Sequence, residues 1–235
     1  MTTEEILQLL QHQATAETKK RLKLQLDNKL DAFGVGLTQL RQVAKKLGRD
    51  KERSAQLWAQ PFFETKALAL LTDDPKAITL EQAENQIREL MELKGPLVHI
   101  FCSCDATLAK SPLARELVES WVPSEEPIRR RCGYGLLYEL SKDKRKSAPG
   151  ETFFIEWITH IERSFDDEVV EVKHGLAIAL LGMGMRSNKL YSQVKSIAKN
   201  ISPINILTEN QKPSQYHLYE QLTKDVVVKA MAAKP

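Results

Sequence analysis

The chain has 235 residues, 42% of them hydrophobic and 28% charged, which allows one large or two small globular domains. Its formal net charge is only +3, so a generally basic surface of the kind that binds nucleic acid is excluded, and such a function would need locally clustered cations. The sequence has no long apolar run and lacks the basic and apolar regions of a signal peptide. We therefore expect a cytoplasmic protein without a membrane-spanning helix.

The three cysteines, Cys102, Cys104 and Cys132, predict reduced thiols rather than a metal site. A single residue separates the first two, whereas common zinc sites place about two to four residues between such cysteines. The third cysteine lies far along the chain, and the histidines form no spaced pair. We therefore predict that these residues hold no metal ion.

Helical periodicity runs along almost the whole chain, because apolar residues recur at intervals of three and four. Alternating apolar runs, which are typical of strands, are nearly absent, so we expect more than half of the residues to be helical and no sheet to form. In chain order, the predicted helices lie around Ile6–Leu10 and Leu22–Leu30, and then at approximately Thr38–Leu47, Asp50–Gln60, Phe63–Leu71, Thr79–Leu93, Leu97–Leu108, Leu113–Trp121, Glu126–Leu140, Thr152–Ser164, Asp167–Met183, Lys189–Asn200 and Tyr219–Ala230.

The helices pair into units of roughly 35 to 40 residues, the size of helical-hairpin repeats. This pattern predicts an all-α fold, a HEAT-like α-solenoid in which stacked antiparallel hairpins line a concave groove. A compact helical bundle is the alternative. We expect a single domain over residues 1–235, with N-terminal helices to about residue 32, a repeat core over about 33–200, and a tail over 201–235 that contains a short helix.

Three clusters of basic residues begin at similar places in their units, and they are candidates for binding a polyanion. Guanidinium groups match the geometry of phosphate, and each cation that contacts a phosphate releases a counterion. Scattered surface charge with nearby carboxylates, such as Glu125 and Glu126, is the alternative interpretation. The clusters are Arg41 with Lys45 and Lys46, then Arg129 with Arg130 and Arg131, and finally Lys173 next to His174.

Asp105 is a lone carboxylate in an otherwise apolar predicted helix, with Phe101 one turn before it. A carboxylate in such surroundings needs a charged or hydrogen-bonding partner. One interpretation is an ion pair with a neighbouring helix, for which Arg131 is a natural partner. The other is that Asp105 faces a cationic substrate, to which the ring of Phe101 would add a cation–π contact.

Five segments, taken in order, resemble one known family over about residues 33–190. They are Gly34-Val35-Gly36 with Arg41 to Lys46, Leu57-Trp58 with Phe63-Glu64, Phe101 with Asp105, Arg131-Cys132-Gly133, and Lys173 to Leu180. Their order and spacing are similar to those of the AlkD-like DNA alkylation-repair glycosylases, a family with HEAT-like repeats. Phe101 and Ile178 stand where that family has tryptophans.

The resemblance implies a basic groove that holds duplex DNA and an activity that excises cationic N3- and N7-alkylpurines without a cofactor. Asp105 would stabilise the sugar cation, Phe101 would contact the alkylated nucleotide, and Arg131 would hold the DNA backbone. The other cations of the three clusters would contact phosphates, and we expect the protein to act as a monomer on alkylated duplex DNA. A catalytically weak or inactive DNA-binding member and a scaffold for protein partners are the alternatives.

Overall fold

The computed structural model describes residues 1–26, 29–93, 100–101, 108–207 and 212–234. The chain forms two compact units, Met1–Leu113 and Ala114–Pro235. More than half of the described residues lie in α-helices, as the periodicity predicted. Within the described ranges, every helix is too short or too polar to cross a lipid bilayer. The expectation of one continuous domain over the whole chain stays a prediction.

The helices of the first unit follow the prediction with two exceptions: the helix predicted around Leu22–Leu30 starts earlier and ends at Gln25, and the one predicted at Leu97–Leu108 lies mostly outside the described residues. Polar side chains start several of them, since Thr2, Thr15 and Asp50 each accept a hydrogen bond from a backbone N–H of the first turn. The helices are α1 (Thr3–Gln13), α2 (Ala16–Gln25), α3 (Leu37–Leu47), α4 (Lys51–Trp58), α5 (Phe63–Thr72) and α6 (Leu80–Leu93).

The centre of the first unit is α5, in which every residue is buried, including Glu64 and Lys66. It packs against both α3 and α4. The loop before α3 passes close to the start of α2, and Gly34 makes this approach possible. Its φ is +110°, and a Cβ there would lie 2.3 Å from the Thr15 carbonyl oxygen. Only glycine fits this position without moving the backbone.

The helices of the second unit agree with the predicted ones except near the C-terminus. The predicted helix at Tyr219–Ala230 is two short helices, which are separated at Lys224. The helices are α7 (Ala114–Trp121), α8 (Pro127–Lys142), α9 (Glu151–Ser164), α10 (Val170–Gly184), α11 (Asn188–Ile201), α12 (Leu218–Thr223) and α13 (Asp225–Ala232).

The helices α8 and α10 run parallel and approach each other through glycines. A Cβ at Gly175 would lie 3.4 Å from the Arg131 side chain, and one at Gly182 would lie 2.5 Å from Tyr138. These two contacts come in the same order along both helices, so the N-terminal turns lie together and the C-terminal turns lie together. Gly133 allows a similar approach on another side of α8, where a Cβ would lie 2.8 Å from the Val122 backbone nitrogen.

We expect Gly182→Ala and Gly133→Ala to destabilise the second unit, because each adds a methyl group where no space exists. Overpacking typically costs about 1–3 kcal/mol, and the better helix propensity of alanine offsets about 1 kcal/mol. Gly175→Ala is the matched control, since its Cβ would meet only ordinary contacts. Urea unfolding followed by circular dichroism measures the difference, and equal stability of all three variants would contradict this packing.

The prediction that no sheet exists is wrong, because β1 (Ile204–Leu207) and β2 (Pro213–Tyr216) form a two-stranded antiparallel sheet. Ile204 pairs with Tyr216. Each strand has only four residues, so the alternation of buried and exposed side chains in β1 is too short to stand out from the helical periodicity around it. The sheet is stabilised by tertiary packing, since β1 packs on α10.

Candidate nucleic-acid interface

The first predicted cluster lies on the exposed side of α3. The helix buries Leu40 and Val43, and the basic side chains of Arg41, Lys45 and Lys46 are all exposed. Arg41 and Lys45 are four residues apart and therefore share one side of the helix. An exposed cluster of this kind suits a phosphate backbone, which requires cations that solvent can reach.

The basic helix α2 adds three exposed cations that the predicted interface did not include. They are Lys19, Lys20 and Arg21, none of which forms an ion pair within the described part of the chain. Lys23, on the same helix, instead pairs with Asp31 at 3.3 Å. The run of basic residues was visible in the sequence, but its exposure was not.

Glu64 fixes the loop that leads into α3. Its Oε2 accepts a hydrogen bond from the N–H of Phe33 at 3.0 Å, and its Oε1 accepts two more, from Gly34 at 2.8 Å and Val35 at 3.0 Å. The carboxylate is fully buried, so these bonds replace its contacts with water. A lone carboxylate in an apolar helix was the signal that singled out Asp105, and the same signal would have found Glu64.

The three consecutive arginines of α8 have different surroundings. The Arg129 guanidinium pairs with Glu126 at 2.5 Å, as the interpretation with nearby carboxylates anticipated. The Arg130 guanidinium forms a forked pair with Glu168, with N–O distances between 2.8 and 3.1 Å. Its remaining nitrogen donates to the backbone carbonyls of Ser124 and Glu125. The hydrogen bond to Glu168 raises the pKa of Arg130 above its ordinary value.

Because the donors of Arg130 are engaged within the protein, its geometry favours a structural role over the predicted phosphate contact. Its side chain is 17% exposed and that of Glu168 only 3%, so the pair is mostly buried. Sequence reasoning missed Glu168, since it lies 38 residues after its partner. The pair fastens the beginning of α8 to the loop that precedes α10.

Arg131 lies where the N-terminal turns of α8 and α10 meet, beside Gly175. Lys173 is two residues before that glycine, with its Nζ 4.6 Å from the centre of the Phe165 ring. His174 lies beside Tyr216 of the small sheet, with 6.0 Å between ring centres. Arg131, Lys173 and His174 are all partly exposed. Within the described residues, only Arg131 of the second predicted cluster contacts α10, so the grouping of these cations into one site stays a prediction.

Asp105, the predicted catalytic carboxylate, lies outside the described residues, as do Cys102 and Cys104. Its pairing with Arg131 therefore stays a prediction. Phe101 is fully buried, which suits core packing better than contact with a nucleotide. Cys132 is buried. Over the parts of the chain that the structure describes, no group of three or more His, Cys, Asp or Glu side chains could hold a metal ion.

Tyr134, one turn after Arg130, provides a test of how tightly α8 is buried. Burial, strengthened by the negative charge of Glu168, raises the pKa of the Tyr134 phenol to about 12 from 10.0. The folded protein therefore holds this proton more tightly than the unfolded chain does, so stability is lost as the pH rises from 10 toward 12. The loss can reach about 3 kcal/mol, since one pKa unit corresponds to about 1.4 kcal/mol.

We expect Tyr134→Phe to flatten this alkaline loss of stability, because phenylalanine has no proton to release. Urea unfolding of the wild type and the variant at several pH values between 9 and 11.5 checks the expectation. A variant whose stability falls as steeply as that of the wild type would show that another group is responsible.

Comparison with known proteins identifies the family. A family model described as DNA alkylation repair enzyme matches residues 6–202. A solved structure from a new family of proteins related to the HEAT-like repeat DNA glycosylases, with affinity for branched DNA structures, superposes with a TM-score of 0.83. The superposition covers 100% of this chain and 97% of that chain, at 18% sequence identity. No curated protein is significantly similar to this chain.

At this identity the structural similarity shows the fold, and it confirms the predicted all-α, HEAT-like repeat architecture. The family model extends over most of the chain, from the first helix to the end of α11. The chain therefore belongs to the DNA alkylation repair enzyme family.

Proposed function

We propose that this protein binds DNA through two groups of solvent-accessible cations, the exposed ones on α2 and α3 and the partly exposed ones where α8 and α10 begin. The observation that carries the proposal is the placement of Lys45, Lys46 and Arg131 on accessible surface in a chain whose net charge is only +3. Family membership supports it, and the structurally similar protein has affinity for branched DNA. A scaffold for protein partners would not need such clusters. That the clusters line one groove stays a prediction.

The finer proposal is that the protein excises cationic N3- and N7-alkylpurines from duplex DNA. Alkylation places a positive charge on the base and makes it a good leaving group, so the enzyme mainly needs an anion beside the sugar. Asp105 would supply that anion, and Arg131 would hold a neighbouring phosphate. Water would then attack the sugar cation, and no metal or organic cofactor is required.

A second candidate is a protein that binds branched or alkylated DNA without excising a base. Two observations favour it, namely the full burial of Phe101 and the aliphatic side chain of Ile178. Both residues stand where the resemblance led us to expect aromatic contacts with the nucleotide. DNA binding is common to both candidates, and they differ only in base release.

Salt dependence tests the DNA contacts. We expect the affinity for a fluorescein-labelled duplex and for a four-way junction to fall steeply with salt concentration. Lys45→Ala and Arg131→Ala should each reduce the log–log slope by about 0.9, because each removes one phosphate contact. Lys76→Ala, an exposed lysine outside both groups, is the control. Fluorescence anisotropy measures binding, and slopes unchanged by the first two substitutions would contradict the interface.

Base release separates the two candidates. Excess protein is incubated with methylated duplex DNA, and free N7-methylguanine and N3-methyladenine are measured. If the protein is a glycosylase, Asp105→Asn should still bind DNA while excision falls about 100-fold or more, since the amide keeps the shape of the side chain but not its charge. Wild-type protein that binds the methylated duplex and releases no base would establish the non-catalytic candidate.

A further inference from the structure

A cavity of about 920 Å³ lies within the second unit, at the C-terminal ends of α8 and α10. The segment from Gln221 to Lys234 forms its opposite wall. We name this cavity the C-terminal pocket. It is separate from the proposed DNA contacts, because Arg131 and Lys173 precede the nearest lining residues of their helices, Tyr138 and Leu181, by seven and eight residues, or about 10–12 Å.

Cations outnumber carboxylates in the lining by five to two. Three of these groups already have partners, since Asp143 pairs with Arg145 at 2.7 Å, Lys142 pairs with Glu139 at 2.7 Å, and Glu151 accepts a hydrogen bond from Ser187. Two helix C-termini add about half a negative charge each, which leaves the positive charge in excess. The lining cations are Lys142, Lys144, Arg186, Lys224 and Lys234.

Two of these cations are held in place by uncharged partners. Arg186 donates to the carbonyls of Ser141 at 2.9 Å, Asp143 at 2.6 Å and Pro149 at 3.0 Å. Lys234 donates to the carbonyls of Met185 and, at 3.2 Å, of Arg186. Carbonyl partners fix the two side chains without neutralising them. Burial lowers the pKa of Lys234, and the nearby charges of Lys144 and Arg186 lower it further. The pocket therefore holds mutually repelling cations whose repulsion a bound anion would relieve.

The wall that carries Lys224 and Lys234 is itself fixed to the rest of the unit. The Tyr191 hydroxyl donates to the Leu222 carbonyl at 2.7 Å, and the Asn188 side chain donates to the Lys234 carbonyl at 3.1 Å. Both donors belong to α11, so the C-terminal segment is attached at its beginning and at its end. The pocket is thus a formed feature of the unit, as binding cavities usually are.

The remaining lining is apolar and includes Leu181, Met185, Val226 and Val227. Val226 is 71% exposed, which is unusual for a valine beside a cavity. Apolar side chains next to fixed cations suit a ligand with an anionic end and a flat, weakly polar body. The volume lies in the usual range for small-molecule sites, about 300–1,000 Å³.

We propose that the C-terminal pocket binds a nucleoside monophosphate unit, with the phosphate held by Lys144 and Lys224 in the positive field of Arg186 and Lys234, and the base against the apolar side chains. The unit has two sources, a free nucleotide or the 5′-phosphorylated end of a DNA strand. The proposal does not depend on the DNA interface described above, because the two share no residue.

Isothermal titration calorimetry of the full chain with 2′-deoxyadenosine 5′-monophosphate tests the proposal. Deoxyadenosine and inorganic phosphate, which each carry half of the ligand, should bind at least about tenfold more weakly. The double variant Lys144→Ala, Lys224→Ala should weaken nucleotide binding at least about tenfold, because it removes two charged contacts from exposed positions. Val226→Ser should also weaken nucleotide binding, since it removes part of the apolar lining without changing the charge of the pocket.

The matched controls are Lys146→Ala, on the same loop as Lys144, and Lys229→Ala, on α13. Neither lysine lines the pocket, so neither variant should change the affinity. Nucleotide binding that the double variant leaves intact, no binding at millimolar concentration, or phosphate binding as tight as nucleotide binding would each overturn the proposal. The last result would mean an adventitious ion only.

A second pair of probes distinguishes the sources. A single-stranded oligonucleotide with a 5′-phosphate is compared with the same strand ending in a 5′-hydroxyl. A preference for the phosphate that the double variant abolishes assigns the pocket to strand ends. Equal affinity for the two strands, together with lysine-dependent binding of the mononucleotide, assigns it to the free nucleotide. Because both strands carry the same internal phosphates, failure of the proposed DNA interface would not alter this comparison.

Discussion

Glu64→Ala is expected to lower the free energy of unfolding by about 3–5 kcal/mol, because it leaves three backbone N–H groups without an acceptor. Those groups belong to Phe33, Gly34 and Val35, and the last two of their hydrogen bonds are buried. The surrounding chain cannot move to find other acceptors easily, since Gly34 is already in close contact with Thr15. The substitution also creates a cavity beside an entirely buried helix.

Two further variants make this expectation specific. Glu64→Gln keeps one acceptor oxygen but turns an N–H donor toward one of the backbone donors, so it should cost about 1–3 kcal/mol. Glu119→Ala removes a carboxylate whose side chain is 49% exposed and should cost less than about 1 kcal/mol. Urea unfolding measures all three, and a Glu64→Ala protein as stable as Glu119→Ala would refute the role of the carboxylate. The loop leads into α3, so surviving protein should also bind DNA more weakly.

Glu168→Ala is expected to cost about 3–5 kcal/mol in the second unit, because it leaves the guanidinium of Arg130 without its charged partner in a mostly buried position. The size of the effect comes from the uncompensated charge and not from the strength of the pair. Removing both members with Arg130→Met and Glu168→Leu should therefore cost less than removing Glu168 alone. Thermal or urea unfolding of the single and double variants gives this comparison directly.

Glu126→Ala is the control for this experiment, since it removes the partner of Arg129 on the same helix from a side chain that is 50% exposed. An exposed ion pair is usually worth less than about 1 kcal/mol. If Glu168→Ala were no more harmful than Glu126→Ala, Arg130 would be free to turn toward solvent, and its predicted phosphate contact would regain support.

Local periodicity was enough to predict the helices because the spacing of apolar residues reports which side of a helix is buried. It was not enough to predict the partners of charged residues, since Glu64 and Glu168 lie 29 to 31 and 38 residues from the groups they bind. Such pairings depend on how helices are stacked. The small sheet escaped prediction for a related reason, because its four-residue strands depend on packing against α10.

For the three consecutive arginines, helix geometry alone could have predicted from the sequence that they do not act as one group. Successive residues of an α-helix point about 100° apart, so Arg129, Arg130 and Arg131 cannot share one side of α8. In the structure, Arg129 pairs with the nearby Glu126, Arg130 pairs with the mostly buried Glu168, and Arg131 lies beside α10. A cluster in the sequence is therefore not a cluster in space, whereas Arg41 and Lys45, four residues apart, share a side.

The parallel arrangement of α8 and α10 also has an electrical consequence. Each helix carries about half a positive charge at its beginning and half a negative charge at its end. Because the two helices start side by side, their dipoles add, and the end that bears Arg131 and Lys173 attracts anions even before those side chains are counted. At the other end, Arg186 donates to the Ser141 carbonyl in the last turn of α8 and Lys234 donates to the Met185 carbonyl that follows α10, so the two cations offset the opposite poles. A chain that is nearly neutral overall can thus contain a pair of helices with a large combined dipole. The backbone sets the direction of this dipole, so the loss of a single cation does not change it.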